Sequence, residues 1–339
     1  MRAYHLINTG SDLASGLNYL RIVDLEIPRP ARGEALVRQH AASLNYVDLL
    51  AVSGQYPPSV LPQIPLMDSA GVVVELGEGT DGPPVGTRVA IHMLPDWLSG
   101  PTPQFGTPRA RGFNMPGALS EYAVVPSAAL ARLPDTMSFA VGATFSTAGT
   151  TAWNVVREAN VMPGSTVLIL GTGNISLFAL QFAKAQGARV IITSSSDEKL
   201  ALARDMGADC GINYVATPNW DGVVLDLTDG KGVQLIVETT GAETFAKSIQ
   251  VAAVEGIIAS AGWRTGATVS FPINRVQQYN LRIVGGMVGS VADFKAMMRG
   301  VAATGIAPRV DRCFDFENAS DAYRWLARGG GFGKVVITI

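Results

Sequence analysis

The apolar positions of the chain fall into two rhythms. Up to about residue 127 they come as short strand-length runs, "EALVRQHAA", "AGVVVELG", "GTRVAIHM" and "SEYAVVP". Gly- and Pro-rich turns such as "PRPARGE" and "GEGTDGPP" separate these runs. Many short strands divided by turn signals predict an antiparallel, barrel-like domain over 1–127. From 128 to 288 the rhythm changes. Strand-like runs ("STVLIL", "ARVIITS", "CGINY", "VQLIVET", "IIASAG", "LRIVGG") alternate with helical ones, among them "ISLFALQFAKAQG", "SDEKLALARDMG" and "AETFAKSIQVAAVEG". Apolar strands alternating with helices predict a parallel sheet covered on both faces, an α/β domain. The tail 289–339 reads as two helices and a final strand, "GKVVITI", which needs a sheet to complete and is expected to join that of the first domain.

Composition narrows the class. The chain has 339 residues, 47% hydrophobic and 16% charged, suited to two folded cores rather than disorder. A net charge of -2 gives no electrostatic reason to expect nucleic acid or an anionic membrane as partner. No run approaches the roughly 20 apolar residues of a membrane-spanning helix, and "MRAYHLINTG" lacks a signal-peptide core. Cys210 and Cys313 lie far apart with no CxxC spacing, so neither a disulfide framework nor a zinc cluster is expected, and the compartment expected is the cytoplasm.

The most informative turn is "ILGTGNIS". Gly171, Thr172 and Gly173 follow the strand "TVLIL", and the next helix places Ile175, Phe178, Ala179 and Phe182 on one face. Gly171 permits a tight turn, and Gly173, lacking a Cβ, lets a pyrophosphate reach the helix N-terminus. Ser176 stands where the fingerprint has a small third residue. Asn174 follows the second glycine, and if that position needs φ > 0, Asn is the least costly residue there after Gly. About twenty residues on, an NAD site would carry Asp or Glu; "VIITSSSDEK" offers Ser194 and Ser195, with Lys199 a turn later. Hydroxyls and a lysine accept a 2′-phosphate that a carboxylate would repel, so NADPH is expected over NADH. Ser195 and Glu198 also have capping-box spacing, which leaves Ser194 and Lys199 for the phosphate.

With these residues in view, the chain resembles the medium-chain dehydrogenases/reductases over essentially its whole length. The stretches "LNYVDLL", "GQYP", "PLMDSAGVVVELGEG", "VGTRVA" and "GSTVLILGTGNISLFALQFAKAQGARVIITSSSDEKL" carry the resemblance. It implies a GroES-like catalytic domain (1–127 and 289–339) and a Rossmann domain (128–288). The zinc enzymes of that family hold their catalytic ion at positions matched here by Asn45, Met67 and Thr147. Amide, thioether and hydroxyl are poor Zn²⁺ donors, so no catalytic zinc is expected. The segment matching the structural zinc lobe, "PDWLSGPTPQFGTPRARGFNMPGALSEY", has no Cys.

The resemblance also assigns positions. Asn45 and Tyr46 line the nicotinamide end as candidate catalytic donors, although Tyr46 could equally be a packing residue. Tyr56, Met67, His92, Met93, Thr147 and Trp263 are candidate substrate-pocket residues. Thr151, Tyr214, Thr240, Gly241, Gly262, Gly286, Met287, Val288, Gly333 and Lys334 are candidate cofactor contacts beside the glycine turn. Asp48 is expected to fix local structure through a basic partner, and His92 to be either a proton donor or a packed histidine. Arg109 and Arg111 are expected to be solvated, or else to clamp an anionic substrate, and segment 93–117 to shape the pocket.

These readings converge on a zinc-independent NADPH oxidoreductase acting on a quinone or α,β-unsaturated carbonyl held in the interdomain cleft. A metal-free alcohol dehydrogenase or ketone reductase and a non-catalytic NADPH-binding protein are the alternatives. The family further implies a homodimer, with tetramers also common.

Overall fold

The computed structural model describes residues 1–104 and 108–339. The chain forms two compact units, Met1–Thr150 with Gly289–Ile339, and Thr151–Val288. No helix of the described residues is long and apolar enough to cross a membrane.

The first unit is built on strands β1 (Arg2–Leu6), β2 (Leu20–Asp24), β3 (Glu34–Ser43), β4 (Asp68–Leu76), β5 (Arg88–Ile91), β6 (Tyr122–Pro126) and β7 (Leu130–Arg132). With β14 (Val310–Asp315) and β15 (Lys334–Thr338) from the tail, its main sheet runs β14-β15-β3-β4-β5-β7, with β6 also on β3 and β1–β2 a separate antiparallel pair. Strand alternation explains the core: Ala35 and Val37 of β3, Val89 and Ile91 of β5, and Ala123 and Val125 of β6 turn to one side and cluster with Val73 and Leu130. The expected closing strand is β15 (Lys334–Thr338). It lies antiparallel to β3, pairing Val336 with Ser43, and parallel to β14 (Val310–Asp315). Segment 128–150, expected with the second unit, packs with the first: β7 pairs with β5, and its backbone bonds are spent there.

In the second unit, β8 (Thr166–Ile169), β9 (Arg189–Ser194), β10 (Cys210–Asn213), β11 (Val233–Glu238), β12 (Ala252–Ser260) and β13 (Arg282–Gly285) form a wholly parallel sheet. Its order, β10-β9-β8-β11-β12-β13, is the 3-2-1-4-5-6 arrangement of dinucleotide-binding sheets. The helix Asn174–Ala185 covers it with Leu177, Phe178, Ala179, Leu180, Phe182 and Ala183 buried. One predicted helix is shortened. The run from Ala242 to Gly256 leaves helix at Val251, because Ala252 pairs with Val233 and the sheet takes the backbone bonds of the expected last turn.

At Gly71, β4 passes so close to β3 that a Cβ would sit 2.1 Å from the Arg38 carbonyl oxygen. Gly71→Ala is therefore expected to lower the first unit's stability by about 1–3 kcal/mol, as overpacking against rigid backbone does. Urea denaturation checks this; an unchanged midpoint would mean that β4 can slide away.

Candidate active site

At the C-terminal ends of β8 and β11, the paired strands between which the strand order reverses, the second unit has the place at which an open α/β sheet takes its ligand. Thr239 Oγ1 and Ser176 Oγ both donate to the Leu170 carbonyl, at 2.8 and 2.9 Å, fastening the turn from two sides. Ser176 is thus more than a small residue in the third fingerprint place. Gly171 has φ +74°, and its N–H donates to Thr193 Oγ1 at 3.0 Å. Gly173 is the helix N-cap, exposed, with no side chain capping the free N–H groups. Its φ of -79° suits any residue, and a Cβ there would meet nothing within 4 Å. The fold leaves this space open beside free N–H donors, and a dinucleotide pyrophosphate fits it. Asn174 begins the helix and is not at positive φ, so the expected reason for tolerating Asn there does not apply.

The serine run differs from expectation. The N-cap of helix Asp197–Asp205 is Ser196, whose hydroxyl accepts from Lys199 N–H at 3.2 Å. Ser195 is exposed and not the cap. Ser194 is buried, lies 3.2 Å from Thr172 Oγ1 and accepts from Ser196 N–H, so it is not free for a phosphate. Ser195 is exposed, and Lys199 and Tyr214 are half-buried.

Glu238 organises the opposite lip. Wholly buried, it accepts from Thr240 N–H (2.9 Å), Gly241 N–H (3.1 Å), Thr244 Oγ1 and Ser248 Oγ (2.7 Å). A lone carboxylate closing the apolar strand "LIVE" was the sequence signal for it. Gly262 packs on Thr239, while Trp263 is exposed on the loop after β12. Gly286 N–H donates to Ser260 O, and Val288 O accepts from Asn154 Nδ2 (3.0 Å), with half-buried Met287 between them. Thr151 is buried in the same unit.

The first unit gathers a second set of groups around Asp68, which opens β4 and is wholly buried. Asn45 ends the crossing from β3 and caps the helix Tyr46–Val52, and its Nδ2 donates to Asp68 Oδ2 at 2.9 Å. Thr147 lies on a widened, π-type turn, Phe145–Gly149, of the kind that recurs at functional sites. Its hydroxyl donates to Asp68 Oδ1 at 2.6 Å, and its N–H to Oδ2 at 3.3 Å. Lys334 opens β15. Its ammonium donates to Asn45 Oδ1 at 2.7 Å and Leu44 O at 2.8 Å, and stands 3.7 Å from Asp68. Lys334 was expected at the cofactor; the structure buries it in this network instead. Asp48, for which a basic partner was anticipated, instead accepts from the Asn45 backbone N–H at 2.7 Å, and Lys334 acts on it only through its field. Gly333, just before Lys334, has φ +126° and abuts Arg309 O.

Beside the network lies an apolar cluster of Ala51, Met67 and Phe113, with Val47, Tyr56, Met93 and Ala110 packed on it. The sequence had named Tyr56, Met67 and Met93 together, and the fold brings them together; Phe113, edge-on to Tyr56, was missed. Tyr46 is 54% exposed, with its ring outside any core. His92 is fully buried against Phe294, and its Nδ1 accepts from Leu94 N–H, so it is a packed histidine. Arg111, expected to be solvated, is wholly buried; its guanidinium donates to Met67 O, Ser69 Oγ, Gln39 Oε1 and Gly117 O. Arg109 is exposed and paired with Asp96 at 2.8 Å. Residues 105–107 of the expected pocket segment 93–117 lie outside the described residues.

Burial decides the charges. It pushes Asp48 up to about 7, with Asp68 adding to the rise and Asn45 and Lys334 opposing it. It lowers the Lys334 ammonium, opposed by both carboxylates, and lowers Arg111 to about 10, still charged at neutral pH. His92 is lowered to about 4 and stays neutral.

The family's zinc does not fit the donors present. An amide and a hydroxyl already bonded to Asp68, with a buried thioether, offer neither thiolate nor imidazole. Among the described residues no cluster of three His, Cys, Asp or Glu side chains could hold a metal.

Residues 31–135 match the alcohol dehydrogenase GroES-like domain, and residues 175–303 the zinc-binding dehydrogenase family. A zinc-type alcohol dehydrogenase-like protein of Schizosaccharomyces pombe is 39% identical over 97% of both chains. A quinone oxidoreductase structure from Pseudomonas syringae pv. Tomato DC3000 is 27% identical, TM-score 0.82, covering 100% of this chain and 99% of that one. A mycobacterial protein solved with NADPH matches with the same identity and TM-score over 100% of both chains. NAD-dependent alcohol dehydrogenases lie among further matches. Fold and site thus define a nicotinamide-dependent oxidoreductase. The chain belongs to the medium-chain dehydrogenase/reductase superfamily.

Two outcomes follow from the geometry. Gly173→Ala fills space the fold does not use, so thermal stability should hardly change while the NADPH dissociation constant rises at least about tenfold. Calorimetry with fluorescence titration checks both; unchanged affinity would remove the pyrophosphate from this turn. For Asp48, the native pKa of about 7 exceeds the ordinary 3.8, so the folded state keeps a proton that the unfolded chain releases between those pH values. Stability from this group is present below about pH 4 and declines as pH rises toward 7. His92 works oppositely, its contribution being lost as pH falls from 6.5 toward 4. Asp48→Asn keeps an acceptor for Asn45 N–H and removes only the first slope. The stability difference, variant minus wild type, should therefore grow from pH 4 to 7 in urea titrations; a flat difference would refute the burial argument.

Proposed function

We propose that the chain is a zinc-independent, NADPH-preferring reductase of quinones or α,β-unsaturated carbonyls. The observation that carries the reading is the commitment of Asn45 and Thr147, at the family's zinc positions, to hydrogen bonds with the buried Asp68. Acceptors of this class delocalise the negative charge that hydride transfer creates, so they need less help than a saturated ketone does. When bound, NADPH supplies the hydride from nicotinamide C4 to the electrophilic carbon.

The rest is done by the protein's own groups. The Rossmann unit holds the pyrophosphate at Gly171–Ser176, while exposed Ser195, with Lys199 and Tyr214, meets a 2′-phosphate without a carboxylate in the run "TSSS" to repel it. The first unit supplies donors for the acceptor's oxygen: the second Nδ2–H of Asn45 and the exposed hydroxyl of Tyr46. Thr147 is not among them, because its single hydroxyl proton is engaged by Asp68. The neighbouring Tyr56, Met93 and Phe113 give an apolar surface suited to a conjugated ring or chain. Metal-free alcohol/ketone interconversion is the second reading, favoured by the name of the S. pombe relative. We further infer a cytoplasmic homodimer, with the open edge strand β13 and its exposed Arg282 and Ile283 as the pairing edge.

The test is NADPH oxidation with a quinone and an enone, and NADP⁺ reduction with a saturated secondary alcohol, each with chelator and with added zinc. Turnover of the first two, indifferent to zinc, is expected. Turnover that depends on zinc, or a saturated alcohol outpacing both, would overturn the reading. A roughly tenfold preference for NADH would overturn the cofactor assignment.

A further inference from the structure

We propose that the first unit contains an oxyanion site in which the Asn45 carboxamide is the contact and Lys334 and Arg111 are positioning and polarising residues. The ligand class is an enolate- or phenolate-type oxygen, and the proposal rests on the reductase reading above, which it deepens.

The carboxamide of Asn45 is held at both ends by opposite charges. Its oxygen faces the Lys334 ammonium at 2.7 Å, and one N–H faces the Asp68 carboxylate at 2.9 Å. Rotating the amide by half a turn would set NH₂ against an ammonium and C=O against a carboxylate. One orientation therefore survives, and both charges draw electrons away from the nitrogen and toward the oxygen. The second Nδ2–H, which Asp68 does not engage, is polarised as a result.

The charges around it do not cancel. Lys334 donates to Leu44 O and Asn45 Oδ1 and faces the Asp68 carboxylate as an ion pair at 3.7 Å. Arg111 grips Met67 O and Ser69 Oγ, on either side of Asp68, and its other two acceptors are the Gln39 amide and Gly117 O, all neutral. Two wholly buried cations thus stand about one wholly buried carboxylate. Asp48, the remaining acid, is buried as well, and burial raises its pKa to about 7, so the surplus is present below neutrality and shrinks above it as Asp48 ionises. In an interior of low dielectric such a surplus acts over several ångströms. It favours an anion forming at the Asn45 N–H, the part a bound metal ion plays elsewhere.

The test uses p-nitrophenol with the full chain and NADP⁺, reading the phenolate absorbance of the bound probe across pH. Wild type should bind phenolate in preference to phenol by at least about tenfold, as expected for a nearby uncancelled charge. Lys334→Met should abolish that preference, Lys334→Arg should keep it, and Asp68→Asn should increase it. A purely structural network predicts the same direction of change for Lys334→Met and Asp68→Asn, since either breaks it; such a result overturns the proposal, as does a wild type without preference for phenolate. If Lys334→Met does not fold, Arg111→Met must move the preference in the same direction, and failure to do so is equally fatal. Binding is read without turnover. Phenolate preference without reduction of any acceptor would sink the reductase reading alone, and reduction with unresponsive variants would sink this proposal alone.

Discussion

A carboxylate that no water reaches must find its hydrogen-bond donors inside the fold, and Asp68 sets the first unit's design through that requirement. Its two oxygens collect an amide from the end of β3, a hydroxyl and an N–H from the turn at Phe145–Gly149, and the proximity of an ammonium from β15. Each donor comes from a different part of the sequence. The sheet order places β15 on β3 and β3 on β4, so Lys334, Asn45 and Asp68 arrive at one end of three neighbouring strands. Removing any one partner would strand a buried charge, which is far costlier than losing an exposed pair.

The second unit solves a related problem with a different carboxylate. Glu238 ends β11 and gathers the next loop by accepting from Thr240, Gly241, Thr244 and Ser248, all within ten residues of it. Local donors are enough there because the loop needs a shape and not a charge partner. Across the strand gap, the Thr239 and Ser176 hydroxyls share the Leu170 carbonyl and draw the glycine turn tight. The open space beside Gly173 is then bounded by backbone on well-tied segments, the rigid setting a phosphate site requires.

What could be read beforehand follows the range of the interactions. The two rhythms of apolar residues gave β3 to β6 and the parallel strands because alternation and helical spacing are local properties. Joining β15 to the first sheet was legible because "GKVVITI" had no other apolar partner in its neighbourhood. Short β7 and polar β14, "VDRCFD", lack the pattern and were not expected as strands. Within the site, Asn45 and Thr147 were named, but their bond to Asp68 joins residues 23 and 79 positions apart. Arg111 was misjudged for the same reason: sequence around it is loop-like, and only the fold supplies Gln39, Met67, Ser69 and Gly117 as acceptors. The cap expected at Ser195 falls at Ser196, a one-residue shift of the scale at which helix ends are least predictable.

The order in which the strands are made has a bearing on biosynthesis. Asn45 leaves the ribosome 289 residues before the lysine that will hold it. Unit Thr151–Val288 is continuous and can acquire its sheet while the rest is still being translated. Until β15 emerges, the nascent first unit carries Asp68 without its ammonium, and the Ala41–Ser43 end of β3 has an unpaired edge that β6 does not cover. A chaperone that shields nascent β-rich segments would find its longest-lived client surface on that strand.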